Sequence, residues 1–379
     1  MIYLDYCATT PMLPEVLESF IKVNKEYYGN INSIHGFGTK AKVLYDEAIK
    51  QICEILKINK DELIITSGAT ESNNMALIGA SFANRNKGNH IIVSKLEHDS
   101  IYGIVKFLER SGFKVDYVKN DADGIIDFDH LKSLITDNTI LVSICAVNSE
   151  MGIRQPLKTI KQIITKENHR TLLHSDMTQA LGKIPINLSD VDLASMSGHK
   201  IYGPPGIGIL YKKEGTLVNP LIHGSNDLRP GTPPLSLIAS FSKAIRLSTN
   251  DLNKKEIKIE KLNNKIVTHL EKYPNVLINK TKYSIPHILN ISLMNIKSDT
   301  FINALNKYNI YIGSNTACSS GKISAAVYNI YNDKVRALTT LRISISHLTS
   351  VDEINTFLNA FDEVYKNLSN LSKEGLWKN

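Results

Sequence analysis

Three short segments of the chain combine residue types that can do chemistry. Ser67-Gly68-Ala69-Thr70 offers small residues and hydroxyls, which let main-chain N–H groups approach an anion such as a phosphate. Asp176 and Gln179 offer a carboxylate and an amide three residues apart. Lys200 stands at the end of a predicted buried strand, where partial loss of solvent would make its amine nucleophilic. Together the segments predict a site with an anion cradle, an acid and a reactive amine.

Each segment alone also has an ordinary structural explanation. The first can be an N-cap turn, Asp176 can cap a helix, and most lysines are solvated surface charges. The three together supply the parts of a pyridoxal phosphate site: an anchor for the phosphate, an acid for the pyridine nitrogen and a lysine for the aldehyde. Ligands of open α/β sheets bind beyond the carboxyl ends of strands, and each segment follows a predicted strand, which favours this interpretation.

The composition is that of a chain able to bury a large core. Its 379 residues are 42% hydrophobic and 21% charged, and the net charge of +7 is spread without a basic run. This distribution argues against binding to nucleic acid or to a membrane surface. The four cysteines stand far apart, which argues against a metal site and a disulfide scaffold. The first residues lack the features of a secretion signal, so we expect a cytoplasmic protein.

Short apolar runs alternate with segments of helical periodicity through the first two-thirds of the chain. This alternation predicts an α/β fold with a mostly parallel seven-stranded sheet and helices on both faces. The predicted strands are Leu63–Thr66, His90–Ser94, Lys114–Val118, Ile140–Ala146, Thr171–Ser175, Leu193–Ser197 and Gly208–Tyr211. The predicted helices include Ser72–Arg85, Ile101–Arg110, Phe128–Leu134 and Leu157–Glu167.

The pattern changes near Leu235. One long polar helix is predicted over Leu235–Tyr273, followed by helix and strand candidates that end near Tyr365. We therefore expect a large α/β domain over residues 13–234 and a smaller α+β domain built from residues 1–12 and 235–379.

The order of these and further motifs resembles that of the cysteine desulfurases, which are fold-type I pyridoxal phosphate enzymes of the class V aminotransferase superfamily. The likeness runs nearly from end to end of the chain. Its motifs are Tyr3–Pro11, Gly29–His35, Gly68–Ser72, Glu97-His98, Val147–Gly152, Asp176–Gln179, Ser197–Pro204, Arg229–Thr232, Ser314–Gly321 and Leu341–Ser344. Each motif is weak alone, and their common order carries the resemblance.

The resemblance implies pyridoxal 5'-phosphate as the cofactor, held covalently by Lys200. It also implies that Asp176 pairs with the pyridine nitrogen and that Gln179 donates to the phenolic oxygen. His98 is implied to stack on the ring and to move protons. The residues implied to complete the cofactor site are Ala69, Thr70, Asn148, Ser197, His199 and Thr232. The last of these matches a residue that reaches the phosphate of the neighbouring subunit, which implies a homodimer.

The resemblance further implies the reaction and its nucleophile. L-Cysteine would be converted to L-alanine, with Arg342 and Asn148 binding the substrate and Cys318 taking the sulfur as a persulfide. Cys318 lies in Ser314–Ser324, a stretch of small and polar residues typical of an accessible loop. Its setting resembles the branch of the family with a mobile loop. The implied partner is a sulfur-acceptor protein, in iron–sulfur cluster assembly or tRNA thiolation.

Several departures from the family pattern leave alternatives open. Ser149 stands where a second asparagine is common, so either Asn148 or Ser149 could contact the cofactor. Cys7 replaces an asparagine or serine and is interpreted as structural. The segment before Thr232 is shorter than usual, which bears on contacts across a dimer interface. The alternative function is another enzyme of the superfamily, such as a selenocysteine lyase or a small-molecule aminotransferase.

Overall fold

The structure, a computed structural model, describes residues 1–224, 228–314 and 323–373, so Cys318 lies outside the described residues. Its strands are β1 (Ile2–Leu4), β2 (Leu63–Thr66), β3 (His90–Ser94), β4 (Lys114–Val118), β5 (Thr139–Ser143), β6 (Leu172–Asp176), β7 (Leu193–Ser197), β8 (Gly208–Lys212), β9 (Val276–Asn279), β10 (Ile288–Leu293), β11 (Ile310–Ile312) and β12 (Thr340–Ser344). Its α-helices are α1 (Pro14–Glu26), α2 (Gly36–Leu56), α3 (Ala69–Asn74), α4 (Ala80–Ala83), α5 (Asp99–Arg110), α6 (Phe128–Leu134), α7 (Leu157–Glu167), α8 (Leu235–Thr249), α9 (Leu252–Leu270), α10 (Ser298–Asn306), α11 (Ala325–Tyr331), α12 (Lys334–Leu338) and α13 (Val351–Lys373).

Seven strands form one sheet in the order β2-β8-β7-β6-β5-β3-β4. Strand β8 runs antiparallel to both of its neighbours, β2 and β7, whereas every other pair in this sheet is parallel. All of its strands except β8 therefore end at one edge, and the segments that follow them meet there. The predicted mostly parallel seven-stranded sheet is confirmed.

Helices cover both faces of this sheet, as the sequence predicts. Ile92 and Ala194 belong to a hydrophobic cluster that includes residues of α1, α2, α7 and α8. Their strand neighbours Ile91 and Leu193 belong to a second cluster, which includes residues of α5. Adjacent residues of a strand point to opposite faces, so the two clusters lie on the two sides of the sheet. Strands β3 and β5 are buried at every position, which is typical of central parallel strands covered on both faces.

A second, smaller group of elements builds its own core. Strands β9, β10 and β12 form an antiparallel sheet, and β1 pairs in parallel with β11. Ile2 and Leu4 of β1 join a separate hydrophobic cluster with residues of α9, α10 and α13. This arrangement supports a division into residues 13–234 and residues 1–12 with 235–379, and that division stays a prediction.

The helices differ most from the sequence prediction at two places. The single helix predicted over Leu235–Tyr273 is wrong, because α8 ends at Thr249 and α9 begins at Leu252. Between them Asp251 has a φ of 54°, a left-handed conformation that interrupts the helical path. The helix predicted over Ser72–Arg85 begins earlier, with α3, and includes the π-helical turn Met75–Gly79. Within the described residues, every helix is too short or too polar to cross a membrane.

Candidate active site

A cavity of about 450 Å³ opens at the sheet edge where the parallel strands end. Segments that follow β2, β3, β5, β6 and β7 line it, together with residues near the N-terminus and one residue of β12. The predicted site residues that line it are Ala69, Thr70, His98, Asp176, Gln179, Ser197, His199, Lys200 and Arg342. The fold thus brings together side chains that are far apart in sequence.

Two of the predicted site residues that the structure describes, Asn148 and Thr232, do not line this cavity. Asn148 Nδ2 donates to the carbonyl of Leu96 at 3.0 Å, and its Oδ1 accepts main-chain N–H groups, so its amide is engaged within the protein. Ser149, the alternative that the sequence left open, does line the cavity. Thr232 lies in a separate cleft beside Tyr27 and Tyr28. Cys318 lies outside the described residues.

The segment after β2 has the features of a phosphate cradle. Gly68 has a φ of 154°, a conformation that favours glycine, and a Cβ atom on Gly208 would lie 2.6 Å from the Gly68 Cα. The start of α3 has no side-chain cap, so the N–H groups of Ala69 and Thr70 are open to an anion. Burial lowers the pKa of His199 to about 4, and this residue therefore faces the cavity as a neutral donor or acceptor.

Lys200 ends a 3₁₀ turn, Gly198–Lys200, that directly follows β7. Its Nζ donates to the main-chain carbonyls of Cys7 at 2.7 Å and Ala8 at 2.6 Å. Burial lowers the pKa of the Lys200 amine, and the positive charge of Arg342 adds to this effect. A larger fraction of the amine is therefore neutral near pH 7 than for a solvated lysine, and only the neutral amine attacks a carbonyl carbon.

Asp176 ends β6 and is held as an acceptor by two donors. The main-chain N–H of Thr178 donates to Oδ1 at 2.9 Å, and Asn73 Nδ2 donates to Oδ2 at 2.9 Å. These two hydrogen bonds fix the orientation of the Asp176 carboxyl group. Gln179 donates through Nε2 to the carbonyl of Cys7 at 3.1 Å, while its buried Oε1 has no protein partner. A buried acceptor without a partner indicates that a donor belongs beside it.

Arg342 is a buried cation whose donor positions are not all used within the protein. Its Nη2 donates to Asp5 Oδ1 at 2.9 Å, and its Nη1 donates to the carbonyl of Ser149 at 3.1 Å. Its buried Nε has no protein partner. Because guanidinium groups bind carboxylates through such donors, Arg342 suits the carboxylate of a small substrate.

His98 lies at the start of α5 with a defined orientation. Its Nδ1 accepts the main-chain N–H of Ser100 at 3.1 Å, which leaves Nε2 as the nitrogen able to act elsewhere. The preceding Glu97 is buried, and the main-chain N–H of Cys145 donates to its carboxyl at 2.6 Å. Burial raises the pKa of Glu97 to about 8. The short segment before α5 is thus fixed on both sides of the histidine.

Sequence reasoning missed the residues that support the predicted ones. Asp5 pairs with Arg342, Asn73 donates to Asp176, and the carbonyls of Cys7 and Ala8 accept from the lysine. The motif Tyr3–Pro11 was a signal for three of them, since it contains them without a predicted role.

These groups fit pyridoxal 5'-phosphate. The uncapped helix start and the close approach of Gly68 to Gly208 suit the phosphate, and the carboxylate of Asp176 suits a protonated pyridine nitrogen. The unpartnered Oε1 of Gln179 and the lysine amine provide further polar groups in the same cavity.

The chain belongs to the class V aminotransferase family, because the family model "Aminotransferase class-V" matches residues 2–357. It is 34% identical to the cysteine desulfurase IscS of Dictyoglomus turgidum, over 98% of this chain and 96% of that protein. A solved structure described as a NifS-like protein is 33% identical, with a TM-score of 0.91 over 97% of this chain and 99% of that one. SspA in complex with cysteine is 29% identical, with a TM-score of 0.80 over 92% of this chain and all (100%) of that one. The predicted resemblance to cysteine desulfurases is confirmed, and with it the fold class and pyridoxal phosphate as cofactor.

Proposed function

We propose that the protein is a cysteine desulfurase that uses pyridoxal phosphate to convert L-cysteine to L-alanine. The observation that carries this proposal is one cavity that holds a lysine amine of lowered pKa and a buried arginine with an unused donor. The first suits covalent capture of the cofactor aldehyde, and the second suits the carboxylate of an amino acid. When bound, the cofactor supplies an electron-withdrawing ring that accepts the electron pair of a breaking bond.

The residues of the cavity have separate tasks. The carboxylate of Asp176, oriented by its two hydrogen-bond donors, pairs with the pyridine nitrogen of the cofactor. The Nζ of Lys200 takes and returns a proton at the substrate α-carbon, since burial lowers the pKa of this amine and favours its neutral form. His98 presents the face of its ring for stacking. Its Nε2 serves proton transfer, because Nδ1 accepts from the main-chain N–H of Ser100. Ala69 and Thr70, together with Ser197 and His199, hold the phosphate.

Cys318 is the proposed sulfur acceptor within the chain. Its thiolate attacks the sulfur of the bound L-cysteine, the C–S bond breaks, and the substrate carbon takes a proton to become alanine. The chain gains a persulfide and loses nothing else, so atoms balance. Gly313 is close to the cavity, since a Cβ atom on it would lie 3.1 Å from Arg342 Nη2. Five residues of chain span at most about 18 Å, so a nucleophile at position 318 is compatible with a substrate bound beside Arg342.

Two variants of the holoenzyme test this function. Cys318→Ala should abolish alanine formation from L-cysteine in the presence of a reducing thiol, while Cys53→Ala should not. Cys53 is a matched control because it is buried and lines a different cleft. Lys200→Ala should lose the absorption of the lysine-linked cofactor. Alanine formation at the normal rate by Cys318→Ala would refute the proposal and favour another enzyme of the superfamily, such as a selenocysteine lyase or an aminotransferase.

The active form is proposed to be a homodimer in which Thr232 serves the partner's cavity. Thr232 lies outside the cavity of its own chain, in a cleft beside Tyr28. The same region exposes large apolar side chains, with Ile34 fully exposed and Tyr28 exposed by 77%. Contiguous exposed apolar residues are typical of an interface.

Mixed dimers test this arrangement. Thr232→Ala and Lys200→Ala chains should each have low activity alone, and their co-assembly should restore one working cavity per dimer. The cavity that contains Lys200 of one chain and Thr232 of the other carries no substitution. Activity that stays at the sum of the separate variants would refute the shared cavity.

The persulfide formed on Cys318 is proposed to be passed to a sulfur-acceptor protein, for iron–sulfur cluster assembly or tRNA thiolation.

A further inference from the structure

One buried hydrogen bond close to the cavity joins two residues that lie 174 positions apart in the chain. It has no role in the chemistry described so far. The hydroxyl of Ser324 donates to the carboxylate of Glu150. Ser324 is fully buried and Glu150 is exposed by only 7%. Neither residue lines the cavity. A buried carboxylate is costly unless its partners hold it, so this contact is a specific feature and not a surface coincidence.

Glu150 is fixed to the wall of the cavity. Its main-chain N–H donates to Asn148 Oδ1 at 3.0 Å, and its carbonyl accepts from Asn290 Nδ2 at 3.2 Å. The preceding residue, Ser149, lines the cavity and accepts from Arg342 through its carbonyl. A shift of Glu150 is therefore passed directly to the wall that holds the proposed substrate-binding arginine.

Ser324 is fixed to the start of α11. It is the N-cap of that helix: its hydroxyl accepts the main-chain N–H of Val327 at 3.1 Å. Its own N–H donates to the carbonyl of Ala337 at 3.0 Å. Ser324 is the sixth residue after Cys318, and on the other side Gly313 exchanges two main-chain hydrogen bonds with Arg342, at 3.0 and 2.8 Å.

We propose that Glu150 and Ser324 are positioning residues for sulfur transfer, which tie the chain after Cys318 to the substrate cavity. This inference rests on the proposed function. The main-chain bonds of Gly313 hold the chain before Cys318 against Arg342, and the Glu150–Ser324 bond holds the chain after it against the same cavity wall. Without the bond, binding of cofactor and substrate is preserved, and the approach of the thiol to the substrate sulfur is less well defined. Misplacement of a reacting group slows a step without weakening binding.

A double-mutant cycle on the holoenzyme tests the pair. Ser324→Ala, Glu150→Met, which has about the same length but no oxygen acceptor, and the double variant are mixed with L-cysteine, and the alanine formed in one turnover is followed over time. We expect each single variant to slow this turnover by about tenfold, equivalent to ~1.4 kcal/mol, and the double variant to be no slower than either. The affinity for L-cysteine, followed by the absorption of the cofactor, should not change. Ser324→Thr, which keeps the hydroxyl, should recover most of the rate.

The controls separate a positioning role from a loss of structure. Ser298→Ala removes another buried serine hydroxyl, which donates to the carbonyl of Leu338, and should leave the turnover unchanged. Thermal melting identifies a variant that fails to fold. Glu150→Met breaks the same bond and keeps the N-cap, so it covers the case in which Ser324→Ala unfolds. A normal turnover rate in both single variants would refute the proposed positioning role. A double variant whose rate loss equals the product of the two single losses would refute it as well. If Cys318→Ala still forms alanine, the proposed function itself fails; if it does not, only this inference is at stake.

Discussion

The contact between Gly68 and Gly208 gives a sharp prediction about cofactor binding. A Cβ atom on Gly208 would lie 2.6 Å from Gly68 Cα and 2.6 Å from the carbonyl oxygen of Met196. Both obstacles are main-chain atoms, so no side chain can rotate away and strands must separate. Ordinary contact needs at least 3.4 Å, so the phosphate segment moves by nearly 1 Å in Gly208→Ala. Overpacking of this kind costs about 1–3 kcal/mol of the free energy of unfolding.

The assay compares two variants that each gain one methyl group. In Gly208→Ala the affinity for pyridoxal phosphate should fall by at least tenfold, since the N–H groups of Ala69 and Thr70 move with Gly68. Gly103→Ala is the matched control, because it lies within α5 with nothing within 4 Å of the added atom. This control should bind the cofactor normally and gain about 0.5–1 kcal/mol of helix stability. Titration of the two apoproteins with cofactor, and urea unfolding, measure both effects.

The opposite result would be informative. If Gly208→Ala binds the cofactor as tightly as the unchanged protein and resists urea as well as Gly103→Ala does, the close glycine contact does not hold the phosphate segment. The cradle would then have to be sought elsewhere along the cavity wall.

Three further predictions concern the supporting residues. Asp5→Asn leaves a buried arginine without its acid and should lower the free energy of unfolding by about 3 kcal/mol in urea titration, whereas Asp137→Asn, at an ion pair whose carboxylate is 99% exposed, should change it by less than about 0.5 kcal/mol. Burial lowers the pKa of His287 to about 3, so below pH 6.5 the unfolded chain binds a proton that the folded chain excludes. The free energy of unfolding should therefore fall by up to about 1.4 kcal/mol per pH unit as the pH drops from 6.5 towards 3. In His287→Gln the free energy of unfolding should decrease less steeply over the same range, as measured by urea titration. Asn73→Ala removes a donor to the site aspartate and should weaken cofactor binding at least about tenfold, while Asn74→Ala, whose amide donates to the main chain, should not; equal affinities in a cofactor titration would contradict this role.

The strands of the large sheet could be predicted because each is a short apolar run between polar segments. The prediction of β2, β3, β4 and β7 agrees with the structure at both ends. The order of the strands could not be predicted, since it depends on pairs such as Ile64 with Leu210, which local patterns do not encode. The break between α8 and α9 was missed because Asp251 is compatible with a helix and only its surroundings place it in a left-handed conformation.

Site residues could be predicted from the sequence where the side chain itself carries a reactive or charged group. Lys200, Asp176 and Arg342 are of this kind, and all three face the same cavity. The main-chain carbonyls that hold the lysine amine could not be predicted, because every residue has a carbonyl and the sequence does not mark which one makes the contact. The carbonyls of Cys7 and Ala8 accept from Lys200 although 193 and 192 positions of the chain separate them from it. Only a folded chain reveals that contact.

The first eight residues have a practical consequence for anyone who shortens this protein. They start in a strand beside β11, cross to the large sheet and end as acceptors for the lysine amine, with Asp5 on the way. An N-terminal truncation by eight residues would therefore remove part of the reaction chamber and not a dispensable tail. Without these eight residues, Lys200 loses both of its carbonyl acceptors and Arg342 loses Asp5. The shortened protein should therefore bind cofactor and substrate poorly, and less of it should be recovered in folded form.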